Sequence, residues 1–445
     1  MPEAVCQVLT LLGALVAPLP IGTNLGLLHL LWMLVSGRLL ASRGAVIPGL
    51  ADCGLPARAV RRAWAALGRG DWASGPLLAR WARAVQAEGR WQACAHGGYR
   101  PVAVDVTAFW RPRLRGCPAT HYHSLAGRAL PAIPVGLVAR VGRAGGQRLA
   151  LPAAFVRADA ADPAPGAHER RLVREAVRQC AADEALVLDA GFGLALLQEE
   201  GATRYVVRAA KNATFRRATP PPYGGKGRPP TRGAVVRPLP RAYKGRAIPA
   251  TPPDHTATWR EGGAVLRAEV WGDLVRPDAE AGAAAFSVIA IHDPRHRAPL
   301  LLVTPLALTP EQARDCYRDR WPVEQLPLAA KQMLGASRQF VHAPEARQRL
   351  PELALLAGAV LAYAAATGPA IPTGFWDRRP QPTPGRLRRL LARTPFPHDF
   401  PLPPRIRAKA AVTGHLRTGS WGQRRPADTP PERTPLAEVA YVSGN

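Results

Sequence analysis

The sequence predicts an α/β protein that begins with an all-α segment. Apolar residues recur at helical spacing through residues 1–98, whereas residues 101–209 alternate short apolar strands with an amphipathic helix. Residues 256–308 then alternate as strands do. Strands mixed with helices in this order are typical of a sheet with helices packed on its faces. We expect five parts along the chain: 1–98, 99–208, 209–308, 309–367 and 368–445.

The composition predicts a polyanionic partner, with DNA as the first choice. Lys and Arg number 59 against 32 Asp and Glu, which gives a formal net charge of +27 over 445 residues. GC-rich coding explains the preference for arginine over lysine, but not the excess of basic over acidic residues. The 6 cysteines are scattered and form no C-x2-C pair, which indicates reduced residues of a cytosolic protein.

The N-terminal part contains an uncharged run from residue 4 to residue 37 that is long enough to span a bilayer. Prolines at 18 and 20 interrupt it, so we expect two buried helices at about 5–17 and 25–36, with membrane attachment as the alternative. A basic helix at 57–67 and a following helix to about 87 fit either a helix-turn-helix DNA reader or a plain helical bundle.

Two aspartates follow short apolar strands in the central part. The strand at 101–107 contains Asp105 near its end, and the strand that begins at 184 is followed by Asp189. A helix is expected between them, at 169–182, and a third strand at 205–209. A carboxylate at the end of a stiff strand is a good platform for a metal ligand, although a lone aspartate there is also a common turn former.

Residues 205–253 contain no acidic residue and 11 basic ones, interleaved with aromatics and prolines. This density of proline excludes a regular helix and predicts an extended basic arm, in which Arg208 and Lys211 are candidate DNA contacts. The strands predicted after it would form a small inserted sheet. A core helix is expected at 347–366 and a short one at about 384–393, within a Pro- and Arg-rich C-terminal region.

The run from 317 to 331 carries the most specific pattern. Tyr317, Arg320, Glu324 and Lys331 fall within about 60° of one face if the helix is continuous. Glu324 would hold a divalent metal ion together with Asp105 and Asp189, because hard cations prefer carboxylate oxygens. The other three side chains would face DNA phosphates. A proline at 327 is expected to kink this helix.

The Y-x2-R-x3-E-x6-K spacing of these four residues resembles that of DDE transposases from bacterial insertion sequences, the cut-and-paste group. The resemblance implies a ribonuclease-H-like mixed sheet flanked by helices and interrupted by a β-rich insertion. It implies that Asp105, Asp189 and Glu324 bind Mg²⁺, for which Mn²⁺ substitutes, and catalyse DNA cleavage and strand transfer. It also implies a homodimer that pairs two transposon ends, recognises their terminal inverted repeats and captures target DNA.

Two alternatives remain open from the sequence. The chain is either an active transposase or a catalytically inactive or domesticated remnant that still binds DNA, because the proline at 327 could displace Lys331 from Glu324. A related ribonuclease-H-like nuclease without strand-joining activity is the other alternative. In each case we expect a bacterial cytoplasmic, nucleoid-associated protein without a membrane segment.

Overall fold

The computed structural model describes residues 1–409 except 115, 163, 226–231 and 281, so most of the predicted C-terminal tail lies outside the described residues. The α-helices are α1 Glu3–Val16, α2 Thr23–Val35, α3 Arg38–Ala41, α4 Val46–Ala51, α5 Ala57–Arg69, α6 Ser74–Glu88, α7 Ala167–Gln179, α8 Leu194–Glu199, α9 Pro310–Arg318, α10 Pro322–Leu328, α11 Pro344–Thr367 and α12 Pro384–Ala392. The strands are β1 Gln92–Ala93, β2 Arg100–Trp110, β3 Ala119–His123, β4 Arg128–Ala144, β5 Gln147–Arg157, β6 Glu184–Leu188, β7 Tyr205–Arg208, β8 Phe215–Arg217, β9 Val235–Val236, β10 Arg241–Tyr243, β11 Arg246–Ile248, β12 His255–Glu261, β13 Ala264–Val275, β14 Phe286–His292 and β15 Leu300–Thr304.

The N-terminal helices form where the apolar spacing predicted them. Helices α1 and α2 correspond to the two halves of the uncharged run, and α2 is buried on all sides, as its uniformly apolar sequence requires. Both pack against α11 and share one hydrophobic core with one face of β4 and β5. The first six helices are therefore joined to the sheet through a common apolar core.

A mixed sheet flanked by helices forms the centre of the fold, as the sequence predicted. Strand β2 pairs antiparallel with β4 and parallel with β6, and β6 continues in parallel to β7. Along β2, Val102 and Val104 face the core that contains α7. Ala103 and Phe109 face the opposite side, which α10 and α11 cover. This alternation places odd-numbered residues of β2 toward the helices that carry the 317–331 pattern.

The prediction of a separate small sheet at 256–308 is wrong. Strand β15 pairs with β7, β14 with β15, and β13 with β14, so these strands extend the central sheet to 13 strands. Period-2 alternation predicts that a segment is a strand but carries no information on its neighbour. The basic arm contributes only short strands, β8 to β11, in its described residues.

Helix α11 is long and apolar enough to cross a membrane by length and composition, but it is buried within the fold. That burial is typical of a core helix of a soluble protein. Its one buried carboxylate, Glu352, accepts two hydrogen bonds from Arg157 of β5, at 2.6 and 2.8 Å. Arg157 also contacts Glu345 on the same helix, at 3.0 Å. This ion-pair network attaches α11 to the edge of the sheet.

The segment from Tyr317 to Lys331 does not form one continuous helix, so the arrangement of its four residues on a single helix face does not apply. Helix α9 ends at Arg318, and a turn follows before α10 begins with Pro322, which has no N–H to continue the ladder. In the turn, Asp319 is only 3% exposed and pairs with His96 and Arg148, at 2.8 and 3.2 Å. After Pro327 the chain forms a π-helical turn over Ala329–Met333.

Candidate active site

The two aspartates lie side by side because of the register between β2 and β6. Ala103 pairs with Val187 in this parallel ladder, and each aspartate lies two residues further along its chain. Asp105 and Asp189 therefore point to the same face of the sheet, from chains about 5 Å apart. Each carboxylate accepts a hydrogen bond from the next backbone N–H, of Val106 at 2.9 Å and of Ala190 at 2.7 Å.

Arg320 lies among the acidic residues from three separate segments. Its side chain is buried, with 8% exposure, and its Nη2 donates to Oε1 of Glu324 at 2.6 Å. The same Nη2 lies 3.9 Å from Oδ2 of Asp189, whose other oxygen accepts a hydrogen bond from the Tyr317 hydroxyl at 3.2 Å. Tyr317 and Arg320 thus both lie next to Asp189, and Arg320 also holds Glu324, despite the break between α9 and α10.

The electrostatics of the cluster are visible at Asp105. Burial, with smaller contributions from the nearby carboxylates of Glu324 and Asp189, raises the pKa of Asp105 to about 6. Arg320 and the hydrogen bond from the Val106 N–H oppose this increase but do not cancel it. The environment of Asp105 therefore disfavours its ionised form.

The side chains of the cluster are of the chemical type that binds Mg²⁺. Asp105, Asp189 and Glu324 offer only carboxylate oxygens, which hard divalent cations prefer. Within the described ranges, however, no three His, Cys, Asp or Glu side chains converge closely enough to hold one ion. Glu324, the third carboxylate, instead contacts the guanidinium of Arg320 at 2.6 Å.

Lys331 lies further along β2 than the other three residues of the pattern. Its Nζ donates to Oγ1 of Thr107 at 2.7 Å and lies over the rings of Trp110 and Phe109, at 4.8 and 5.4 Å from their centroids. Burial lowers the pKa of Lys331 to about 8, and Asp105 opposes this decrease. Sequence reasoning missed Thr107, although it follows Asp105 on the same face of the strand and alternation could have identified it.

A basic cleft of about 740 Å³ lies next to the carboxylate cluster, and Tyr317 and Arg320 belong to both. Arg208 and Lys211, both predicted from the basic arm, line it, and Nη1 of Arg208 lies 3.8 Å from Oδ1 of Asp189. Further cations in the lining come from the start of β5, the β14–β15 loop and α9: Arg148, Arg295, Arg314 and Arg318. Trp321, 55% exposed, adds an aromatic face. The cleft is suited to a polyanion with planar groups.

The acidic groups beside this cleft are already engaged. Arg314 is buried, pairs with Asp293 at 3.0 Å and contacts Glu261 closely. Glu261 also accepts from Arg318 at 2.5 Å, and Asp293 from Arg295 at 2.8 Å. This network fixes the guanidinium groups at the cleft wall. Sequence reasoning missed it, because its members come from β12, the β14–β15 loop and α9.

Comparison with known proteins adds no identification. No family model matches the sequence, and no curated protein matches it either. The functional argument therefore rests on the geometry of the carboxylate cluster and the basic cleft beside it.

Proposed function

We propose that this protein is a DDE transposase that cleaves DNA at the ends of its own element and joins them to target DNA. One observation carries the proposal: Asp105, Asp189 and Glu324, from three distant parts of the chain, surround Arg320 at the mouth of a basic cleft. Three carboxylates next to a basic groove are what phosphodiester chemistry on DNA requires, because metal ions and phosphates must be held together.

Two features of the fold support a ribonuclease-H-like core in this proposal. The sheet is mixed, and helices cover both of its faces around β2 and β6. The β-rich segment from β8 to β15 lies between the second aspartate and the glutamate, which is where the resemblance places an insertion. The segment departs from the expectation in one respect. Strand β15 pairs with β7, so the inserted strands belong to the central sheet and not to a separate one.

The proposed chemistry assigns a role to each residue. Asp105, Asp189 and Glu324 would hold Mg²⁺ or Mn²⁺, which supplies activation of the attacking oxygen and stabilisation of the leaving oxygen. Glu324, which accepts a hydrogen bond from Arg320, would have to turn toward the ion to help hold it. Arg320 would then hold a phosphate through two parallel hydrogen bonds, and the Tyr317 hydroxyl would keep Asp189 oriented.

The partners in this proposal are the terminal inverted repeats and target DNA, held by a homodimer in the bacterial cytoplasm at the nucleoid. Arg208, Lys211 and Lys331 would carry part of the contact with the backbone. Arg208 and Lys211 line the cleft, and Lys331 contacts β2 beyond Asp105.

The experiment places the DNA that flanks the gene on a plasmid and maps strand breaks made by the purified protein with Mg²⁺. Asp189→Asn is the test variant, and Asp162→Asn, an exposed aspartate in the β5–α7 connection, is the matched control. Cuts at the element boundaries are expected with the wild type and with Asp162→Asn, and none with Asp189→Asn. Joined products separate a transposase from a nuclease.

A DNA-binding protein without cleavage activity is the second candidate. The 2.6 Å contact between Arg320 and Glu324 and the π-helical turn after Pro327 favour it, because both hold the pattern away from a metal-binding arrangement. DNA binding without cuts, in Mg²⁺ and in Mn²⁺, would reject the transposase and support this candidate.

A further inference from the structure

The connection from α11 to α12, residues 368–383, presents two neighbouring aromatic rings to solvent. Phe375 is 95% exposed and Trp376 is 67% exposed, more than any other aromatic side chain in the described residues. Their rings contact each other edge to face, with centroids 5.1 Å apart. Single exposed apolar residues are common on protein surfaces, but an adjacent pair of large rings at a loop tip indicates a contact site.

Hydrogen bonds and an ion pair, within the 368–383 loop and with α12, hold this loop in place. The Asp377 carboxylate accepts hydrogen bonds from the N–H and the hydroxyl of Thr373, both at 3.0 Å, and pairs with Arg386 of α12 at 2.7 Å. Arg386 also donates to the carbonyl of Ile371 at 3.2 Å. A loop fixed in this way loses little conformational entropy when it binds.

The charge around the rings identifies the kind of partner. Arg378 and Arg379, separated from the aromatic pair by Asp377 alone, are exposed. Residues 368–393 contain six arginines and one acidic residue, Asp377, which is already paired with Arg386. A second copy of this chain would bring another surface of the same sign, whereas a nucleic acid offers phosphates for the guanidinium groups and flat bases for the rings.

One end of the loop contacts the sheet. Nε2 of Gln147, the first residue of β5, donates to the carbonyl of Pro382 at 2.7 Å. Pro384, which follows the loop, lines a small pocket together with Arg148 and Trp321, and both of these residues also line the basic cleft. The C-terminal end of the loop therefore lies near residues that also line the basic cleft.

We propose that the 368–383 loop is an auxiliary DNA-binding element, in which Phe375 and Trp376 press against bases or sugars of duplex DNA and Arg378 and Arg379 contact the adjacent phosphates. This inference rests on the proposed function in one respect: the cleft must also hold DNA. It adds a second contact region, away from the carboxylate cluster, that no residue of the 317–331 pattern supplies.

The test measures binding of a fluorescent 40-base-pair duplex by anisotropy over a range of salt concentrations. The Phe375→Ala/Trp376→Ala double variant is expected to bind about tenfold more weakly, with an unchanged salt dependence, because the apolar contact of the rings with sugars and base edges is lost. Arg378→Ala/Arg379→Ala is expected to reduce the slope of log K against log salt by about 2. Trp376→Phe keeps a ring and should keep most of the affinity. Val265→Ala, an exposed apolar residue on β13, is the matched control.

The outcomes separate this inference from the proposed function. If the wild-type protein does not bind the duplex, both are overturned. If the wild type binds and cuts DNA while the aromatic double variant has wild-type affinity, only the auxiliary element is overturned. Sedimentation velocity without DNA measures self-association. If the aromatic double variant loses self-association but keeps its DNA affinity, the rings bind a second copy of the chain, and the auxiliary DNA-binding element is overturned. An unchanged thermal midpoint confirms that each variant is folded.

Discussion

Replacing Asp105 by asparagine is expected to stabilise the metal-free protein at neutral and alkaline pH while abolishing DNA cleavage. Burial and the neighbouring carboxylates raise the pKa of Asp105 from its ordinary 3.8 to about 6. At pH 8 the folded protein therefore holds an ionised carboxylate in an environment that disfavours it. Asparagine has no charge at any pH and still accepts the hydrogen bond from Val106.

The size and the pH range of this effect follow from the two pKa values of Asp105. Below about pH 4 the carboxyl is protonated both folded and unfolded, so substitution gains nothing. As the pH rises from about 4 to about 6, ionisation of Asp105 progressively lowers the stability of the wild-type protein. Above pH 6 this loss stays constant. The difference between the two pKa values corresponds to a loss of about 3 kcal/mol at most in the free energy of unfolding, or about 1–3 kcal/mol after solvent screening. With an unfolding entropy of about 0.9 kcal/mol/K for about 400 residues, the midpoint should rise by about 1–3 °C.

The assay is thermal unfolding of wild type and Asp105→Asn at pH 4 and pH 8, without divalent metal. The expected result is a higher midpoint for the variant at pH 8 and nearly equal midpoints at pH 4. Asp162→Asn, exposed and remote from Arg320, should show no such dependence. A variant midpoint at pH 8 equal to or below that of the wild type would refute the reasoning. So would a gain of the same size at pH 4.

Two further predictions concern charged groups next to the site and in the core. Because burial lowers the pKa of Lys331 to about 8, its positive charge is lost as the pH rises through 8. Wild-type cleavage rates should therefore fall between pH 8 and 9, whereas those of Lys331→Arg should not; a parallel decline in both would contradict this. Arg157→Met should lower stability by about 3–5 kcal/mol, because it leaves Glu352 buried without its partner. Adding Glu352→Gln should restore part of the loss in the thermal midpoint, and no recovery would show that the ion pair is not the cause.

The sequence predicted the strands that carry the aspartates because those strands are short, apolar and followed by a carboxylate. It also predicted α1, α2 and α12 from periodicity and proline positions. These features are local, so one chain segment is sufficient to recognise them. Arg208 and Lys211 of the basic arm line the cleft, and their contact with DNA stays a prediction.

The break before α10 was harder to predict because its cause is tertiary. Asp319 reads as a surface residue between Tyr317 and Arg320, but His96 and Arg148, both more than 170 residues earlier, bury it in a turn. Pro322 fits both a helix start and a kink, so it does not decide the matter. The partner strand of β15 is likewise set by long-range pairing that no alternation pattern contains.

The unbroken ladder from β7 through β15 and β14 to β13 has a mechanical consequence. A module attached by two linkers can swing over its ligand, but strands hydrogen-bonded in one sheet move as a rigid body with their neighbours. Strands β12 to β15 therefore cannot act as a hinged lid. Adjustment to a ligand in the cleft has to come from segments outside that ladder, such as the β10–β11 hairpin of the basic arm, whose described strands pair only with each other.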